Sequence, residues 1–351
     1  MRFSPELVQV KVFNYPPDTG VLTDLVQLLA GEQINLSFFS QDGSSGAHTS
    51  FCMTKTDFSK VANLIDDLLR PSNIEFVYIP SVGTLSLFPH QSRIKIVALM
   101  LSIFGYYNIP VYGLSSSISA IAVNTDYRLL DEAAEHLQQV FLLPEQHTPF
   151  RQHLPDSVAN KEKATCQKRP MVETAATYWE DVIRIYGLTV KINLDLVTLN
   201  FPVDRMASLG NRLQQLETVP GRFELVVAHQ VDVQNIQLVL LYQNDQEKSL
   251  SKILPSAAIS AGVSYTVRSP VELLYLHGPH FQDRFGVANA TLRALKKHQV
   301  NVLVTGCTGT SVYLVIPDKT AQTAAKALSH VFSVPVNSST SQQIGEERSL
   351  H

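Results

Sequence analysis

Several residues in this chain have types and spacings that invite a chemical reading. His277 and His280 flank Gly278-Pro279, but a transition-metal site needs a third ligand at helical or hairpin spacing, and none stands nearby. No metal is expected. Cys307, in TGCTGT, has no neighbouring His or acid to hold a thiolate and reads as a small turn residue. Ser115, Ser116 and Ser117 form a run outside any G-x-S-x-G context. Neither a P-loop nor a G-x-G-x-x-G stretch is present, so no phosphate or dinucleotide cradle is expected, and with it no catalytic residue and no cofactor. Two loops differ from these. In each, Asp18-Thr19-Gly20-Val21 and the stretch from Gly278 through Asp283 and Phe285 to Gly286-Val287, a glycine stands where a helical pattern begins. In the plainest reading the glycines are turns into helices, and Asp18 and Asp283 are first-turn acids favoured by the helix dipole. The basic group Arg293, Lys296, Lys297 and His298 likewise reads as the solvated back of a helix.

The elements that carry these loops repeat. Strand, loop, helix, strand, turn, strand and helix recur four times, most clearly over 82–141 and 271–332 and more loosely over 8–79 and 196–268. Strands are read from β-branched and aromatic runs such as VQVKVF, IEFVYI, FELVVAHQ, IQLVLLY and NVLVT. Helices are read from three-to-four spacing, as in DFSKVANLIDDLL, where Phe58, Val61, Leu64, Ile65 and Leu68 share a face. The expected fold is α+β: four ferredoxin-like βαββαβ units in two tandem pairs, each pair sharing an extended sheet. The units cover 1–80, 81–144, 187–269 and 270–336. Between the halves, 145–186 is a polar linker followed by a helix over 173–186 that Gly187 stops. Residues 337–351 lack apolar periodicity and read as a disordered tail. Several strands are too apolar to face water, so units are expected to pair side by side.

Bulk properties narrow the class. A net charge of −3 over 351 residues is too close to neutral for a nucleic-acid footprint. The cysteines Cys52, Cys166 and Cys307 are scattered and odd in number, which fits a reducing cytoplasm better than a disulfide framework. The N-terminus lacks a signal-peptide pattern, and VALMLSIFGYY is too short to span a bilayer, so it reads as a buried helix face and no membrane partner is expected.

The segment over 81–143 resembles the second ACT domain of aspartate kinase regulatory regions, and the one over 271–332, with Gly278 and Gly286-Val287, resembles it more closely. The looser copies resemble the first ACT domain, so the likeness spans nearly the whole chain as two successive ACT pairs. The family completes its first domain with a strand that follows the second, which the resemblance places in EQHTPFRQ, residues 145–152. Nothing resembles the kinase's catalytic lysine strand or phosphate loops, so no catalytic domain and no enzyme are expected.

The resemblance also implies a ligand site. In ACT domains the first helix's free N–H groups take a carboxylate, and a glycine there lets backbone approach closely. The matching positions are Gly20, Val21, Gly286 and Val287, with Asp18, Asp283 and Phe285 in the loops. On the partner strand they are Asn301, Val302 and Thr308, with Asn108, Ile109 and Ser116 in the second unit. Gln41 and Gln230 match a glutamine near the effector. The second and third units depart from the pattern, reading PHQSRIKIV and NFPVDRMASLG without the glycine. Two functions stay open: an amino-acid sensor that regulates its own assembly or an amino-acid biosynthetic enzyme as partner, and an oligomerising scaffold that has lost its effector. A homo-oligomer fits both.

Overall fold

The computed structural model of the chain describes residues 1–16, 20–43, 47–118, 120–141, 182–215, 222–243, 261–278, 281, 284–309 and 311–333. The first half runs β1 (Arg2–Phe3), β2 (Leu7–Tyr15), α1 (Val21–Gly31), β3 (Phe38–Asp42), β4 (Ala47–Thr54), α2 (Lys55–Leu69), β5 (Glu75–Leu87), α3 (Ile94–Tyr106), β6 (Gly113–Ser116), β7 (Ile121–Asp126) and α4 (Leu130–Val140). The second runs β8 (Ile183–Arg184), β9 (Gly187–Pro202), α5 (Met206–Gln214), β10 (Phe223–Gln230), β11 (Asn235–Gln243), β12 (Ser264–His277), α6 (Val287–Lys297), β13 (Val304–Thr308), β14 (Ser311–Pro317), α7 (Ala321–Leu328) and β15 (Phe332–Ser333). This is an α+β chain with an antiparallel main sheet.

Local sequence explains the elements. In α2 the Thr54 hydroxyl accepts the Asp57 N–H at 3.1 Å, capping the helix, and Val61, Ile65 and Leu69 are buried along one stripe. Leu64, expected on that face, lies at its margin and is 37% exposed. The VALMLSIFGYY run falls largely within α3, which buries Val97, Ala98, Met100, Leu101, Ile103 and Phe104. At α7 the cap comes from far away in sequence. Glu272 of β12 accepts the Thr320 and Ala321 N–H groups at 2.9 and 2.6 Å, placing its carboxylate at the positive end of the helix.

The main sheet has the order β1-β5-β2-β4-β3-β13-β14-β12-β9-β11-β10-β6-β7, and a β5–β7 pairing closes it. Three long strands serve two neighbourhoods. Residues 75–82 of β5 pair with β2, while 82–87 pair with β7; β12 and β9 pair along almost their whole lengths. Sheet is thus shared within each half, through β5 and through the β9–β12 pair, and two further junctions were not expected. The junctions between strand groups are β3–β13 and β6–β10, so continuous sheet runs from the first group into the fourth and from the second into the third. The tandem halves are therefore crossed. The free apolar edges of opposite halves satisfy each other. Within the second group the outer strand beside β5 is β1, and within the fourth, the outer strand beside β12 is the first part of β9.

The expected helix over 173–186 is also corrected where it is described. Ile183–Arg184 is a strand, parallel to β15, because Val182 to Ile185 alternate exposed and buried with period two. Residues 173–181, the strand expected at 145–152 and the tail at 337–351 lie outside the described residues.

Helices cover one face of the sheet in two cores. One joins α3, α4 and α5 and the other joins α1, α2, α6 and α7. The α3–α5 contact depends on glycine: a Cβ at Gly210 would lie 2.5 Å from the Ser102 nitrogen and 2.6 Å from the Ala98 oxygen. The faces turned away from the helices pack on each other. Leu225, Val227, Leu273 and Val315 share an apolar cluster there, and hydrogen bonds cross between strands that are not sheet neighbours, such as Ser115 to Tyr313 at 3.0 Å.

Candidate functional site

The β3–β13 junction sets α1 and α6 side by side. Both helices start from a left-handed glycine, Gly20 with φ 79° and Gly286 with φ 82°, and each glycine carbonyl accepts the first helical bond, from Asp24 N and Ala290 N at 2.9 Å. A side chain at either position would be strained. The start of α6 abuts the end of α1, where Ile34, Leu36 and Phe39 meet Gly286, Val287 and Asn289 around a cavity of about 20 Å³. Arg284, itself buried, also lines this cavity. Asn289 Oδ1 is buried without a hydrogen-bond partner. The start of α6, with its helix dipole, and Arg284 thus border the same cavity, surroundings that suit a carboxylate. Cys307 lines the same cavity, and burial pushes its thiol up to about 12, so it stays protonated and apolar.

Other expected residues fall elsewhere. Asp18 and Asp283 lie outside the described residues. Phe285 is buried behind the Gly286 turn, and Val21 packs into the core of α1. Gly20 faces the fourth group: a Cβ there would lie 3.2 Å from Lys296 Nζ, so this lysine reaches across the junction toward α1. Asn301 and Val302 stand at that same end, beside Gly43, whose N–H donates to the Leu303 carbonyl at 2.8 Å. They are not at the Gly286 cavity. Their counterparts on the first unit are Asn35 and Leu36, of which Leu36 lines that cavity. The match follows from the helix ends: Gln33 (φ 57°) precedes Ile34, whose N–H returns to Leu29 O at 2.8 Å, and Gln299 (φ 56°) precedes Val300, whose N–H returns to Leu295 O at 3.0 Å. Asn108 (φ 55°), with Ile109 N–H on Phe104 O at 2.8 Å, occupies the glutamines' place. Pro110, rather than Asn108, therefore corresponds to Asn301.

Thr308 is buried at the end of β13, opposite Phe38. Ser116 is used in the sheet, its Oγ accepting the Val226 N–H at 2.9 Å. Gln41 bonds the Tyr15 hydroxyl, and Gln230 Oε1 accepts from Lys11 Nζ at 2.8 Å. The sequence reading missed Ile34, Leu36, Arg284 and Asn289, which line the cavity. The one available signal was that Ile34-Asn35-Leu36 repeats the pattern of Val300-Asn301-Val302.

A second cavity, of about 560 Å³, opens at the matching place beside the β6–β10 junction. Asn108, Ile109 and Pro110 at the end of α3 line one side, and Pro202, Val203 and Asp204 at the start of α5 line the other.

Between the opposed sheet faces, Lys11 is 3% exposed, hydrogen-bonded to Gln230 and set 5.3 Å from the Tyr112 ring. Burial drives its amine down to about 7. His229, facing Ser40 at 3.3 Å, is driven to about 3 by burial, with His48 and Lys11 adding repulsion. Among the described residues no three His, Cys, Asp or Glu side chains are grouped to hold a metal, and no helix is long and apolar enough to cross a membrane.

No family model and no curated protein sequence matches the chain. Solved structures do. Aspartate kinase from Synechocystis superposes with a TM-score of 0.74 at 14% identity, over 94% of this chain and 55% of that one. The regulatory subunit of aspartate kinase from Thermus thermophilus, ligand-free, overlaps 40% of this chain and 97% of its own at 17% identity and a TM-score of 0.37. Clostridium acetobutylicum aspartate kinase overlaps 44% of this chain and 37% of its own at 18% identity and a TM-score of 0.38. At these identities the first likeness establishes the fold, and the chain spans about half the length of the kinase concerned. It also corrects one expectation. Nearly all of the chain shares the architecture of an aspartate kinase structure, so the expectation of a non-enzyme falls, and the absence of a catalytic domain is not supported.

Proposed function

We propose that the chain is an aspartate-kinase-like regulatory assembly of four ACT units, over 1–80, 81–144, 187–269 and 270–336, that binds a small amino acid at the seam between α1 and α6. One observation carries this reading: two left-handed glycines start facing helices across a shared strand junction, one of them beside a buried arginine. The α-carboxylate would sit on the first turn of α6 with Arg284, and Asn289 Oδ1 would accept from the ammonium group. The cavity of about 20 Å³ holds little more than one water. An amino acid must therefore part Ile34 and Leu36 from α6. Ligand binding is thereby coupled to how the first and fourth units sit together, which is the differential affinity that regulation requires. Homo-oligomerisation and an amino-acid biosynthetic partner belong to the same proposal.

A thermal-shift screen against the common amino acids tests it, because a ligand of the folded state raises apparent stability by mass action. At least one amino acid should raise Tm in a concentration-dependent way. Gly286→Val, folded by circular dichroism, should lose that response. Silence from every amino acid would favour a scaffold, and an unchanged response in Gly286→Val would move the site to Gly20.

A further inference from the structure

The cavity of about 560 Å³ beside the β6–β10 junction has the place of the Gly286 seam and the opposite sign. At the seam, the start of α6 is left open by a glycine and flanked by Arg284. At the second cavity, the start of α5 is preceded by Pro202, Val203 and Asp204. Asp204 lies in the 3-10 turn, Val203–Arg205, that leads into α5, where a carboxylate complements the helix dipole. It would repel an incoming anion where α6 would attract one. Asp204 is the sole charged side chain among the described residues that line this cavity, and it has no ion-pair partner among them. The other polar liners are the neutral amides of Asn108 and Gln234, both exposed and both able to accept a hydrogen bond. The walls are apolar, formed by Ile109, Pro110, Val203, Met206 and Val233. Val233 is 87% exposed, leaving an apolar side chain in water at the cavity's rim.

Size separates the two places as well. A cavity of about 560 Å³ falls within the roughly 300–1,000 Å³ range of small-molecule sites, whereas the seam must open to admit a ligand. From the cavity, its single uncompensated carboxylate and its apolar walls, we infer that this is a separate binding site for a small organic cation, an ammonium group on an apolar stem, held by Asp204 with the amides of Asn108 and Gln234. The inference is independent of amino-acid binding at the seam.

Phenylpropylamine is a suitable probe, with phenylpropanol and phenylpropanoate as neutral and anionic isosteres. Two-dimensional NMR titrations of the full chain should show saturable shifts from the amine at Asn108, Val203 and Val233, with the seam residues Gly286 and Val287 unmoved. The alcohol should bind at least about tenfold more weakly, the value of one charge-assisted hydrogen bond, and the carboxylate should not bind. Asp204→Asn, which keeps a residue favoured at helix starts, should weaken the amine about tenfold while Gly286→Val leaves it unchanged. Equal binding of amine and alcohol, full affinity in Asp204→Asn, shifts confined to the seam, or no saturable binding would each overturn the proposal.

Discussion

Lys11 offers the sharpest test of how this fold is held together. Its amine sits between two sheet faces at 3% exposure, with a neutral hydrogen-bond partner, Gln230, and the face of Tyr112 as its surroundings. In the unfolded chain it titrates near 10.5, and in the folded chain burial lowers this to about 7. Between those values the unfolded state holds more protons than the native state, so stability rises with pH across the window. The depression corresponds to about 4 kcal/mol less stability at pH 7 than at pH 10.5 from this one group. Met has nearly the same length and no charge to desolvate. Lys11→Met should therefore be more stable than the parent at pH 7, by up to about 4 kcal/mol less what the Gln230 and Tyr112 contacts return. The advantage should shrink toward zero by pH 10.5. Urea unfolding of both proteins at intervals from pH 7 to 10.5 measures it. Tyrosine ionisation affects both alike and cancels in the difference. A gap between parent and variant that does not change with pH, or a variant less stable at pH 7, would refute the reasoning.

Three further outcomes follow from individual contacts. His229, held near 3 by burial, binds no proton while its unfolded counterpart does below about 6.5; stability should fall by up to about 1.4 kcal/mol per pH unit from 6.5 toward 3, and His229→Leu should flatten that acid limb in urea titrations. Gly210→Ala should destabilise by about 1–3 kcal/mol despite the better helix propensity of alanine, because its Cβ would overlap the backbone of α3; no loss in thermal unfolding would contradict the packing. Glu272→Leu should cost about 1–3 kcal/mol by leaving two N–H groups of α7 unbonded, with early loss of amide-exchange protection at Thr320 and Ala321 as its signature.

The sequence by itself determined the elements, because helices and strands answer to local periodicity. Val61, Ile65 and Leu69 spaced along α2 bury on one face as their spacing requires, and the continuous apolar run of FELVVAHQ in β10, buried from Leu225 through His229, reads as a strand covered on both faces. It also determined the two helix starts at Gly20 and Gly286, since only glycine takes a φ near +80° without strain. The strand junctions were decided by tertiary structure. Periodicity records which face of a strand is apolar but not which edge finds which partner, so the crossing of β3 to β13 and β6 to β10 left no mark that a single chain could display. The site inherited that limit. Asn301 was legible as a repeat position, yet the strand junction sets Ile34 and Leu36 opposite Gly286, and only the tertiary structure brings Arg284 to the same cavity. Ile183 shows the same physics on a small scale. Its neighbours fit a helix in sequence, and pairing with Phe332 made it a strand, because a hydrogen-bonded partner outweighs a weak local preference.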